Sequence, residues 1–535
     1  MILQFNTLLC RLRILNFPVG KKVNLINGNF ITLDDHCPQA DIISIVNGKI
    51  NGINALDHNA ESIDLNGATV IPGFTDSHFH LTNLGKQIDT LLLKNCKSAE
   101  EIRELVLEKS KSLQSNEWII GFGWDQNKWS TPKFPGDEIL NSLPISQPIM
   151  LNRIDGHSCW VNQKVMELSG LNVSPKPPEG GDIINNCILI DNAMNPVQFV
   201  IPKPDESTIE KWIKLALEKI IPRGITNIHD AWQDPTTVNV LKQMASENKL
   251  PIRVYGMLGS GYHKLLKQFF NKGVFQSENY TIRSVKAFID GALGSRGAAL
   301  FEPYCDDKNN CGLILISEKE FKELAVNCND AGFQLCTHAI GDRGNRLVID
   351  VYSNSVQKKS NHRWRIEHAQ MVCDEDIPRF AESGIVPSMQ PSHCTSDMPW
   401  LYDRLGEKRL HRISRWQSFI DSGCQIPGGS DCPIEEGNPI FEYYAAVTRK
   451  DHEGLPQDGW ESQEAVSRIN ALKMFTTWAA YGEFAEHRRG KIRPGFDADL
   501  TIIDRDITTC PEKEILNTEV LGAMVAGNLI FNNLV

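Results

Sequence analysis

Four well-separated stretches of this chain share one design: a short strand-like run that stops at a histidine or an aspartate and passes into a loop or a glycine-rich turn. They span residues 68–80, 333–338, 363–368 and 425–431, and they end on His80, His338, His368 and Asp431. A further run, residues 282–291, places Lys286 within a period-two apolar pattern. Polar groups at the carboxyl ends of successive strands are what a parallel barrel uses to build one site from separate loops. The pattern therefore predicts an α/β chain organised as a (β/α)8 TIM barrel. Within the first run His78 and His80 are two residues apart, and in extended backbone such residues point to the same side. Two imidazoles then aim at one point past the strand end, which is metal-ligand spacing.

Taken in order, the Pro-Gly-Phe-x-Asp-x-His-x-His run ending at His80, then Thr337-His338, Glu367-His368-Ala-Gln and Gly429-Ser-Asp431, resemble the amidohydrolase superfamily of metal-dependent hydrolases. Residues 285–296 and 337–342 are similar to its YtcJ-like branch, which includes N-substituted formamide deformylase. The resemblance runs from about Val23 to the carboxyl end. It implies that His78 and His80 bind a first metal, that His338 and His368 bind a second, and that Lys286 bridges the two as a carbamate. It also implies that Asp431 contacts the first metal and the attacking water. A lysine ammonium cannot ligate a cation, whereas burial favours the neutral amine, to which carbon dioxide can add. The implied cofactors are two divalent metal ions per chain, with carbon dioxide for the lysine; histidine and carboxylate ligands suit zinc, iron, manganese or nickel, and zinc is the default. The implied reaction is hydrolysis of a non-peptide carbon–nitrogen bond, N-formyl or N-acyl, in a small molecule, with Asp431 moving the proton from water to the leaving nitrogen. The same barrel also suits a mononuclear deaminase or an ester or lactone hydrolase, and fold alone does not fix substrate. Retention of every ligand position argues against a non-catalytic binding protein.

Asn-Gly pairs punctuate β-rich runs in residues 23–33 and 42–50, a strong hairpin cue. Residues 490–504 and 520–531 have the same strand-and-turn character. Both ends resemble the halves of the small β-sandwich that amidohydrolases assemble from their termini. The expected layout is an extension over 1–22, a first sandwich half over 23–70, the barrel over 71–485 and a second half over 486–535. The interval between His80 and Thr281 is too long for three βα units, so an insertion is expected within about 115–205, with a turn-rich loop at 174–181. Segments there mix aromatic and polar groups, and the resemblance to the YtcJ-like branch implies that they line the substrate pocket, with Trp124, Arg153 and His157 as substrate contacts. Arg296 and His393 are further substrate-binding candidates. Asp342, beside His338 in sequence, is the candidate carboxylate for orienting that ligand, since metal-bound histidines generally give their other N–H to a carboxylate or carbonyl.

The net charge of −11 argues against a nucleic-acid partner, and no basic stripe counters it. No run of 18 or more apolar residues supports a membrane span. The 14 cysteines lack paired spacing, which favours a reducing compartment and makes the cytoplasm the default location. Arg11 and Arg13 without acidic neighbours give the first 20 residues a weak targeting character, but they lack a clear hydrophobic core segment and read as an extension. The expected partner is a small-molecule substrate. A homodimer is compatible with such a barrel, though no residue identifies an interface.

Overall fold

The computed structural model describes residues 22–172, 177–356 and 361–534. Residues 1–21 of the expected extension and the first residues of the 174–181 loop lie outside them, and Lys22 opens the first strand. Two compact units divide the chain: Asn83–Leu215, and the described residues on either side of it.

The second of these units contains the barrel. Its parallel strands follow one another as Phe74–Phe79, Ile225–Gln233, Arg253–Gly259, Tyr280–Phe288, Gln334–Ala339, Arg365–His368 and Val386–Ser388, each paired with the next. Parallel bridges from Met389 to Gly428 and from Cys432 to Phe79 close the ring through residues 428–432 as the eighth position. The first and fifth strands are buried at every residue, as expected where helices cover a parallel sheet. Local chemistry sets the helix boundaries between strands. Ser317 and Glu320 form a reciprocal capping box at the start of helix Glu318–Ala331, and Gly332, at φ 72°, ends it just before the fifth strand.

Both termini build the β-sandwich. One sheet orders Lys49–Ile53, Ile43–Val46, Lys22–Ile26 and Glu61–Asp64, and all four strands are amino-terminal. In the other sheet, carboxyl-terminal Leu500–Ile503 pairs antiparallel with Thr69–Pro72, so the two ends are one structure. Val23, Leu25, Ile45 and Val70 share a single core with Leu500, Ile502, Met524 and Leu529. Asn47-Gly48 makes the expected hairpin, with φ of 51° and 75°, the two positive values that a type I′ turn requires. Asn27-Gly28 does not. The strands flanking it belong to different sheets, and a Cβ on Gly28 would lie 2.8 Å from Leu65 and 2.9 Å from Phe30, so the glycine permits a tight crossing between sheets.

The unit Asn83–Leu215 has its own mixed sheet, ordered Gly181–Ile184, Ile188–Asp191, Ser158–Val161, Ile149–Arg153, Ile119–Trp124, Leu91–Leu92. It reaches beyond the expected 115–205 at both ends. Helix Ala99–Ser110, capped by Ser98 and burying Ile102 and Val106, has the apolar spacing of a barrel crossover helix, so periodicity does not separate it from a βα unit. Among the described residues no helix is long and apolar enough to cross a membrane.

Candidate metal centre

The strand ends bring His78, His80, Lys286, His338, His368 and Asp431 to one end of the barrel. One ligand atom each from His78, His368 and Asp431 lie within 4.8 Å of one another. His80 Nε2 is 3.0 Å from Asp431 Oδ1, Lys286 Nζ is 3.1 Å from His78 Nε2, and the His338 and His368 ring centres are 4.5 Å apart.

The hydrogen bonds on the far side of each ring fix which nitrogen is free. His78 Nδ1–H donates to Glu367 Oε2 (2.5 Å), His80 Nδ1–H to the Ala231 carbonyl (3.0 Å) and His368 Nδ1–H to Gln390 Oε1 (2.8 Å). His338 uses Nε2–H toward the Gly291 carbonyl (3.4 Å), with Asp290 Oδ1 at 3.6 Å. Each of these partners is an acceptor, so each ring is left with a lone pair on its other nitrogen. His80 Nε2 then faces the Asp431 carboxylate, a lone pair against an anion at 3.0 Å. A cation between such groups satisfies both, and in this respect the donor set fits a divalent metal.

Burial, reinforced by Lys286, lowers the pKa of His78 to about 4 and of His338 to about 3, and burial with two neighbouring imidazoles holds His368 well below its ordinary value. All three are neutral near pH 7, the form that ligates. Burial also lowers the pKa of Lys286, against the pull of Glu367 and Asp431, and so favours the amine. Burial alone would raise the pKa of Asp431, but its close contact with His80 and the nearby imidazoles outweigh it and keep the carboxyl well below the usual carboxylate range.

Behind the ligands lies a buried polar network that the sequence did not single out. Arg365 donates to Ser77 O (2.5 Å), Ser388 Oγ (2.7 Å), Glu367 Oε2 (3.1 Å) and His229 Nδ1 (2.8 Å). Its Nε is also 2.7 Å from Glu367 Oε1, close enough for strong attraction though misaligned as a hydrogen bond. Burial works to raise the pKa of Glu367, but Arg365 and His78 hold it well below the usual range, so the group orienting His78 is a carboxylate. Backbone strain gathers here as well. His368, Ala369 and Asp431 have φ of 73°, 42° and 55°, a region non-glycine residues enter at a cost and mostly at functional sites. Gly429 permits the eighth segment to approach the first strand, because a Cβ there would lie 2.5 Å from the His78 nitrogen.

The remaining expected site residues divide. His393 reaches the centre: its ring stacks on His368 at 6.0 Å, its Nε2 is 3.9 Å from Asp431 Oδ2, and that nitrogen has no hydrogen-bond partner among the described residues. Asp342 is buried, but it accepts from the Phe301 and Arg343 backbones and faces Arg412. The carboxylate beside His338 is Asp290, which accepts from the Ala299, Ile340 and Gly341 N–H groups and ties the loop after the fourth strand to that after the fifth. Arg296 is held bidentately by Asp306. In the other unit Trp124 is fully enclosed in the core and donates to Leu151 O (2.7 Å), so it is a packing residue rather than a pocket wall. Arg153 is bound by Asp125, Asp155 and Gln126, and exposed His157 pairs with Asp191 at 2.9 Å.

The sequence profile of the amidohydrolase family matches residues 61–531. The chain belongs to the amidohydrolase family. This family member is 27% identical to YtcJ of Bacillus subtilis (strain 168), described as an amidohydrolase, over 94% of this chain and 98% of that one. It is 24% identical to the N-substituted formamide deformylase of Arthrobacter pascens, over 94% and 97% of the two chains. The crystal structure of an uncharacterized metal-dependent hydrolase from Pyrococcus furiosus matches this amidohydrolase with a TM-score of 0.79 at 28% identity, covering 91% of this chain and 100% of that one.

Proposed function

We propose that this family member is a metal-dependent hydrolase of a carbon–nitrogen bond, other than a peptide bond, in a small N-formyl or N-acyl compound. One observation carries the reading: four imidazole lone pairs, the Lys286 amine and the Asp431 carboxylate converge at one end of the barrel. The relatives support it as well, since one is described as a formamide deformylase. His78, His80 and Asp431 would hold one zinc ion, and His338 and His368 a second. Lys286 would bridge them once its neutral amine adds carbon dioxide and releases a proton, leaving a carboxylate in place of the amine. Bound there, such ions would supply Lewis acidity and make a water molecule more acidic.

The chain's own groups would do the rest. Asp431 is held ionised by its histidine neighbours, so it enters the reaction able to accept the water proton. The environment that disfavours its acid form also favours handing the proton on to the leaving nitrogen. Glu367, Gln390 and the Ala231 carbonyl keep three imidazoles in fixed tautomers through the cycle. His393, with its free Nε2 facing Asp431, is placed to hydrogen-bond a polar substrate atom. The test is a turnover screen on zinc-reconstituted protein with three substrate sets: N-formyl and N-acyl amines, aminopurines and aminopyrimidines, and aryl esters and lactones. Release of amine and carboxylic acid from the first set alone is the expected result. Ammonia from the second set, or turnover restricted to the third, would overturn it.

A further inference from the structure

Beside the metal centre the second barrel strand breaks its pairing. Its register with the third strand shifts between Asp230 and Gln233, and Trp232 within that interval has a φ of 66°. A bulge of this kind re-aims side chains, and positive φ is unusual for so large a residue. It serves two ends at once: Ala231 gives its carbonyl to His80 Nδ1, and Trp232 is turned to a half-buried position between two other rings. The Trp232 ring lies 5.2 Å from Phe288 and 6.0 Å from Tyr262, and Phe288 lies 5.2 Å from His338 and 4.6 Å from Lys286 Nζ. Gly259 makes the room, since a Cβ there would sit 2.9 Å from both Trp232 and Tyr262.

These rings are not ordinary core. The barrel-interior tyrosines, Tyr255 and Tyr280, are fully buried with their hydroxyls bonded to Gln334 and Gln233, whereas Trp232, Tyr262 and Phe288 remain partly open. A partly open run of aromatic edges and faces, continuous with a ligand histidine, suits a flat apolar ring, which gains from offset and edge-to-face contacts as well as from burial. We propose that Trp232, Phe288 and Tyr262 form the subsite that receives an aromatic substituent of the substrate while its scissile group lies at the metal centre. This rests on the hydrolytic reading above.

The test has a kinetic arm and a binding arm. Kinetics compare N-(2-phenylethyl)formamide with N-ethylformamide, and calorimetry compares phenylacetohydroxamic acid with acetohydroxamic acid on zinc-loaded protein, so binding is read without turnover. In the wild type the phenyl member of each pair is expected to be favoured at least tenfold, in kcat/KM and in Kd. Trp232→Ala is expected to reduce both ratios below threefold, and Trp232→Phe to preserve most of them. Should Trp232→Ala fail to fold, Phe288→Leu, at the other end of the wall, carries the same test. Ratios near one in the wild type, or ratios unchanged in the variants, would overturn the subsite. A phenyl preference in binding that Trp232→Ala abolishes, with no formamide turned over, would keep the subsite and overturn the hydrolytic reading instead.

Discussion

Replacing Glu367 by glutamine changes one oxygen to an amide nitrogen and leaves the volume of the site unaltered, so every consequence is electrostatic. Glu367 is fully buried between two cationic or donating partners, Arg365 and His78. Removing its charge leaves the Arg365 guanidinium in the barrel interior without a counter-ion. Breaking one partner of a buried pair costs about 3–5 kcal/mol. Arg365 keeps its bonds to Ser77, Ser388 and His229, so the lower end, about 3 kcal/mol, is expected. The second effect falls on His78, whose Nδ1–H loses an anionic acceptor and with it part of the force fixing its tautomer. Losses of this kind lower metal affinity about 10–100-fold. Urea unfolding of the metal-stripped variant reads the first effect, and competition with a chromophoric zinc chelator reads the second. The paired change Arg365→Met with Glu367→Leu separates them: stability should recover much of the loss, because no charge is left uncompensated, while zinc affinity should stay low. A Glu367→Gln variant with unchanged urea midpoint and zinc affinity within twofold would show that Glu367 neither balances Arg365 nor orients His78.

Further outcomes follow from the same geometry. Asp431→Asn is expected to keep its zinc by mass spectrometry while kcat falls about 10²–10⁴-fold, because an amide cannot shuttle a proton; a near wild-type kcat would remove that role from Asp431. Ordinary imidazoles are about 90% protonated at pH 5.5. With pKa values lowered to about 4 and about 3, His78 and His338 bind almost no protons there, so proton competition should reach them only below that range. In the metal-free protein their ring resonances should then stay unshifted between pH 7.5 and pH 5.5, and an NMR titration of either ring centred near pH 6.5 would contradict this. Asp290→Asn turns an amide N–H against one of the three backbone donors that Asp290 accepts, and should cost about 2 kcal/mol in urea unfolding; an unchanged midpoint would show that Asp290 does not tie the two loops together.

The barrel was legible because its functional strands end on polar residues, and an apolar run stopping at His338, His368 or Asp431 looks unlike a packing strand. The third strand, Arg253–Gly259, carries no polar end of this kind, and the second, Ile225–Gln233, holds His229 and Asp230, which the sequence reading does not single out. The orienting groups were harder still. Closeness in sequence points to Asp342 as the partner of His338, but the loop after the fourth strand folds back and delivers Asp290 from 48 positions earlier, and only tertiary structure shows this. Arg365 and Glu367 alternate along one strand, so both point into the barrel, where apolar layers are the usual expectation. Trp124 is hard to read for the opposite reason: a tryptophan beside glycine and aspartate looks like a pocket wall, and the structure places it in the core of its own unit.

Metal content tests the lysine-bridged pair most directly. Wild type and Lys286→Ala, purified without chelators in bicarbonate buffer, would be measured by plasma mass spectrometry. Two equivalents per chain in the wild type, falling to one or none in the variant, is the expected result. One equivalent in both proteins, or none in either, would contradict the lysine-bridged pair.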